Sequence, residues 1–93
     1  MKFWQSLSFT EPEHLLDIVR KAEEVGFDGV FMSDHLWHPA HIASAYPYSP
    51  DGKPSFDENI PWPDPFVMIG AFAAVTRRIR FFTATYVLPL RHV

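Results

Sequence analysis

Ninety-three residues amount to one small domain at most, and the absence of cysteine removes both a disulfide scaffold and a cysteine-based zinc site as means of stabilising it. A composition 47% hydrophobic and 16% aromatic is that of a buried globular interior rather than a disordered tail. A net charge of −3 and a pI near 5.9 lack the basic excess of a nucleic-acid binder.

The N-terminus has no basic segment followed by a long apolar run, and Glu11, Glu13 and Asp17 come early, so a secretory signal peptide is not expected. No stretch approaches the ~20 apolar residues that cross a bilayer. The simplest expectation is a cytoplasmic protein without membrane or nucleic-acid partners.

In chain order, residues 3–9 read as a first strand. Thr10-Glu11-Pro12-Glu13 has the form of a capping box, with Pro12 tolerated in the first turn. Leu15, Ile18, Val19, Ala22 and Val25 then recur at three- and four-residue spacing opposite Asp17, Arg20, Lys21 and Glu24, which predicts an amphipathic helix. Gly26 is placed to end it in the left-handed conformation. Gly29-Val30-Phe31-Met32 is continuously apolar, as in a strand covered on both faces. Strand, helix and strand fit one βαβ unit.

Residues 36–63 hold six of the nine prolines, together with Trp37, Tyr46, Tyr48 and Trp62. They predict a long, packed loop of the kind more often functional than not. Asp64-Pro65 opens a second helix with an N-cap acid and a proline at the first helical position. No charged residue occurs from Phe66 to Val75, so this helix reads as buried nearly all round, with Arg77-Arg78 where cations favour a helix C-terminus. Residues 79–88 read as a third strand running into Pro89. The alternation predicts an α/β fold, β-α-β-loop-α-β, with parallel strands.

Ligands of parallel α/β folds gather at the carboxyl ends of the strands, here Ser33-Asp34-His35 and residues 83–88. His35 is the acid/base candidate, and an adjacent carboxylate is a common way to hold such a ring. The alternative is that Asp34 caps the loop and His35 is a satisfied core histidine. His35, His38 and His41 recur every third residue, but Pro39 breaks the helix that would align them, so no metal site is assigned. Trp37, Tyr46, Tyr48 and Trp62 offer either an aromatic wall for a planar ring or plain loop packing. Glycine-rich phosphate loops and a nucleophile elbow are missing, which disfavours a Rossmann dinucleotide site and a serine hydrolase.

Gly26-Phe27-Asp28-Gly29-Val30-Phe31-Met32-Ser33-Asp34-His35-Leu36 closely resembles the second-strand signature of the luciferase-like monooxygenase family. Pro61-Trp62-Pro63-Asp64-Pro65-Phe66 and Arg78-Ile79-Arg80-Phe81, leading to Val87-Leu88-Pro89-Leu90-Arg91-His92, agree in order and spacing. Tyr46-Pro47-Tyr48-Ser49-Pro50-Asp51-Gly52 looks like the branch that uses the deazaflavin coenzyme F-420. The resemblance implies that residues 1–93 are the N-terminal part of a TIM-type (β/α)8 barrel of roughly 250 or more residues. It implies an oxidoreductase or monooxygenase using FMN or deazaflavin for hydride transfer or oxygen activation on a small-molecule substrate, and leaves open a homodimer of the full-length protein.

By the same resemblance His35 is the catalytic acid/base, and Asp34, Ala84 and Thr85 lie at the coenzyme. Some members carry a non-prolyl cis peptide at the position of Ala84-Thr85. The 93-residue chain alone is expected to bind coenzyme weakly or not at all and to be inactive. Two other readings stay open: a truncated, non-catalytic remnant of the fold, and a metal-dependent hydrolase on the same architecture.

Overall fold

The computed structural model describes residues 1–54, 56 and 58–91; His92, which belongs to one of the motifs above, lies outside them. The order of elements is β1 (Trp4–Ser6), α1 (Pro12–Glu24), β2 (Gly29–Met32), α2 (Pro65–Val75), β3 (Arg80–Thr83) and a single 3-10 turn (Leu88–Leu90). The strands form one sheet in the order β1-β2-β3, and both pairings are parallel. β2, the apolar run, is the central strand, as its composition predicts, and β1 and β3 are the edges.

The alternation of side chains along β2 sorts the two faces of the sheet. Val30 and Met32 are buried beneath the helices, in a core with Leu7, Leu15, Val19, Ala22, Phe72 and Ile79. Phe31 points to the other face and stacks on Phe82, its register partner on β3, with ring centroids 5.0 Å apart. Trp4 completes this second cluster edge-on to Phe82, also at 5.0 Å. Its indole lies across Gly29, where an added Cβ would come within 1.9 Å of the ring. Glycine at that position is what lets the indole cover the strand.

α1 shows the predicted amphipathicity, with Leu15, Val19 and Ala22 buried. Its start differs from the expected capping box. The residue before a proline is driven out of the helical region, so Glu11, with φ −59° and ψ 132°, takes the N-cap position and makes no side-chain cap. Thr10 is thereby one position too early to cap, and its amide donates to the Leu7 carbonyl instead. Phe9 adopts φ 63° in that turn, which is why β1 stops short of the expected residue 9.

Gly26, at φ 92°, terminates α1 as predicted. Phe27 N donates to the Ala22 carbonyl (2.9 Å) and Gly26 N to that of Glu23 (3.2 Å), the paired bonds of a Schellman ending.

The connection from α2 to β3 contains a contact the sequence did not announce. The Glu23 carboxylate accepts from the amides of Arg77 (3.0 Å), Arg78 (2.7 Å) and Ile79 (2.9 Å). These bonds, that from Arg78 foremost, hold its carboxyl below the ordinary value. Arg77 and Arg78 lie just past the last turn of α2, which itself holds no basic residue. That end is closed by the Thr76 hydroxyl, which donates to the Phe72 carbonyl (2.7 Å), and the Arg78 guanidinium donates to the Glu23 carbonyl at the end of α1.

β3 has four residues, less than half of the expected run 79–88. Ala84 N makes a last bond to the Met32 carbonyl (2.8 Å). Val87 N then turns to a side chain and Pro89 has no N–H to give, so the ladder cannot continue. The Ala84–Thr85 peptide is cis. α2 also departs from expectation. It lacks charge, yet only Pro65 and Phe72 are buried, and Phe66 and Val67 are exposed.

Candidate functional site

Ser33, Asp34 and His35 leave the carboxyl end of β2, at the rim where ligands of parallel sheets gather. Successive residues at this rim have opposite fates. The Asp34 side chain is fully buried, whereas His35 is exposed.

Asp34 Oδ2 accepts from Val87 N (3.0 Å) and from Arg91 Nε (3.3 Å), and Oδ1 accepts from Arg91 Nη2. Arg91 reaches on through Nη1 to Asp64 Oδ2 (2.8 Å). Asp64 Oδ1 is the N-cap of α2, accepting from Phe66 N (2.9 Å) and Val67 N (3.0 Å). One guanidinium thus ties the end of β2 to the start of α2 and to the segment after β3. Phe66 and Tyr86 flank it, with ring centroids 5.8 and 5.5 Å from the guanidinium carbon.

A carboxylate as enclosed as Asp34 is costly unless paired, and Arg91 provides the pair. The Arg91 hydrogen bond is the main cause that lowers the Asp34 carboxyl below its usual value, with the Val87 amide helping and burial opposing. Asp64 is lowered first by the Val67 amide and then by Arg91. Both carboxylates in turn raise the Arg91 guanidinium, Asp34 more than Asp64.

His35 sits apart from this network; among the described residues no hydrogen bond joins it to Asp34. Its ring lies over Trp62 at 4.3 Å and edge-on to Phe56 at 5.5 Å. Phe56 gathers His38 (6.1 Å), Tyr46 (6.3 Å), Phe9 (5.9 Å) and Trp62 (5.3 Å) around it. The long loop is therefore packed, as its aromatic content predicts. Of the four aromatic wall candidates, Trp62 and Tyr46 belong to this cluster. Tyr48 meets Tyr46 at 5.5 Å but stays 86% exposed, and Trp37 is 60% exposed.

Two clefts open beside His35. One, of about 270 Å³, is almost wholly apolar, lined by Leu36, Trp37, Val87 and Leu90 with Asp34 beneath. The other, of about 190 Å³, lies on the loop side between His35, His38, Glu58, Ile60 and Trp62. Ala84 and Thr85 line neither; they turn at the end of β3, with Ala84 half-buried and Thr85 exposed. At the ends of β1 and β2 the hydroxyls of Ser8 and Ser33 are hydrogen-bonded to each other.

The sequence points to Asp34 and to the Asp64 cap but not to Arg91 as the residue that joins these two carboxylates. Its partners lie 57 and 27 positions away, a distance at which no local pattern signals contact.

The family model described as luciferase-like monooxygenase matches residues 3–93. An uncharacterized protein of Mycobacterium tuberculosis is 32% identical over 91 residues, covering 98% of this chain and 32% of its own length. A protein of Mycobacterium bovis shows the same identity and coverage. A second uncharacterized M. tuberculosis protein is 37% identical over 73 residues, 78% of this chain and 26% of its own. The chain spans about a third of the length of the curated relatives it matches. No solved structure matches it. No helix among the described residues is long and apolar enough to cross a membrane.

Proposed function

This chain belongs to the luciferase-like monooxygenase family, and from that premise we propose that it forms the opening part of a (β/α)8-barrel oxidoreductase that works with FMN or the deazaflavin coenzyme F-420. The observation that carries the reading is the apolar groove of about 270 Å³ at the carboxyl ends of β2 and β3, with an exposed imidazole at its edge. A planar, largely apolar ring suits such a groove, in which Leu36, Trp37, Val87 and Leu90 supply contact area and exclude water.

When bound, the coenzyme supplies a hydride or activates oxygen. His35 holds or receives a proton at an imidazole nitrogen on the rim. Asp34 acts from beneath, keeping Arg91 and the Val87 amide in place so that the groove keeps its far wall. Ala84 and Thr85 contribute backbone at the end of β3. This chain carries no glycine-rich phosphate loop, so the grip on the coenzyme tail belongs to other parts of the full-length enzyme. A small-molecule substrate and a cytoplasmic location complete the reading.

The test is a titration of the isotopically labelled chain with FMN and with the deazaflavin, followed by NMR. Weak binding is expected, with shifts concentrated at His35, Trp37, Val87 and Leu90. Shifts confined to other surfaces, or none at millimolar ligand, count against the coenzyme reading.

A further inference from the structure

The loop-side cleft has a chemistry of its own. Its inner wall is the Trp62 indole, fixed by ring contacts to His35 (4.3 Å), Phe9 (5.3 Å) and Phe56 (5.3 Å). Its outer wall is Trp37, an indole with no ring partner among the described residues and more than half its surface exposed. Elsewhere in the molecule aromatic faces are already matched by cations: Arg91 lies over Phe66 and Tyr86, and Arg80 over Trp4 at 6.0 Å. Among the described residues no Lys or Arg lies over either indole of this cleft, and neither Lys nor Arg is among the residues that line it. Glu58, which does line it, forms no ion pair among the described residues.

Two indoles and a carboxylate with no ion pair among the described residues line a cleft of about 190 Å³, a lining complementary to a compact organic cation. We propose that this cleft is a binding subsite for an alkylammonium group, its methyl or methylene carbons against Trp37 and Trp62 and its charge toward Glu58. Binding itself follows from the cleft's chemistry alone. That the group belongs to a substrate presented to His35 rests on the oxidoreductase reading, because His35 lines both clefts.

Choline and its uncharged isostere 3,3-dimethylbutan-1-ol separate charge from shape. The chain is titrated with each at constant ionic strength while indole fluorescence is followed, in the wild type and in Glu58→Gln, Trp37→Leu and Trp37→Phe. Choline is expected to bind at least about fivefold more tightly than the alcohol. Glu58→Gln reduces that preference by about threefold, Trp37→Leu weakens choline binding, and Trp37→Phe, which keeps a ring face, restores much of it.

Equal responses to choline and the alcohol, a preference untouched by Glu58→Gln, or no response to choline overturns the proposal. FMN and deazaflavin are titrated separately on the same protein. A coenzyme response without a choline response removes this subsite alone, and the reverse removes the coenzyme reading alone.

Discussion

Helices α1 and α2 pack against each other and close the same core, yet their outer surfaces are opposites. α1 buries Leu15, Val19 and Ala22 and turns charge outward, where Asp17–Arg20 and Lys21–Glu24 form i,i+3 ion pairs at 3.0 Å. Such exposed pairs add little stability, but they leave a surface suited to water. α2 seats Phe72 in the core and presents Phe66, 51% exposed, and Val67, 72% exposed, on a helix without a single charged side chain. The first sequence is written for solvent and the second for neighbours. A chain that spans about a third of its relatives' length gives that contrast a natural setting.

The contrast is most severely tested at the core. Leu15→Ala is expected to cost about 3 kcal/mol, enough to abolish a cooperative thermal transition in a domain this small, as read by circular dichroism. A melt that hardly moves would mean that α1 is no better seated than α2.

Next in size is the tie between the helices' mouth and the sheet. Asp34→Ala leaves Arg91 without its main partner and should cost about 2 kcal/mol, less than a fully enclosed pair would because Arg91 keeps some solvent contact. Hydrogen exchange at the Val87 amide should quicken in the same variant, and unchanged exchange would show that the bond is dispensable.

Asp64→Ala removes the α2 cap and the second carboxylate partner of Arg91, and is expected to cost about 1 kcal/mol, with fraying of the first turn of α2 and a loosened Arg91. A uniform loss across both helices would blur the distinction drawn between them.

Acid should act through the same groups. Glu23, Asp34 and Asp64 all have folded-state carboxyl values below their ordinary ones. The stability they contribute is thus fully present above the ordinary values of 4.5 and 3.8, and is lost as pH falls from there through the lowered ones. The melting temperature should drop over that interval, and Asp34→Asn should flatten the drop. Smallest of all, Val67→Lys on the open side of α2 should change stability by less than about 0.5 kcal/mol while raising solubility; a large loss would reveal packing at that position.

Features with local causes were legible in the sequence. The periodicity of α1, the apolar run of β2, the Gly26 ending and the Asp64-Pro65 start each depend on a few adjacent residues, and each is found. Strand ends were less legible, since they depend on where the partner stops offering bonds. Residues 79–88 are nearly all compatible with a strand, which predicts β3 through to residue 88, but Val87 N is claimed by Asp34. Adjacency in sequence leaves open whether Asp34 holds the His35 ring or caps the loop, because alternation along an extended chain sends neighbours to opposite sides. The aspartate goes inward to Arg91 and the histidine outward to Trp62. The capping box failed for a similarly small reason, a proline that shifts the first helical residue by one place.

Glu23 gathers three consecutive main-chain amides rather than side chains, and this fixes how mutation will be tolerated around it. Position 77, which is exposed, can exchange one residue type for another without disturbing the grip, so long as proline, which brings no N–H, is avoided, whereas Ile79 is also held by the core. Position 23 has no such latitude. Glutamine there keeps the length but loses the charge and one of the two accepting oxygens, so the start of β3 would be held less firmly even though no residue of β3 itself had been altered.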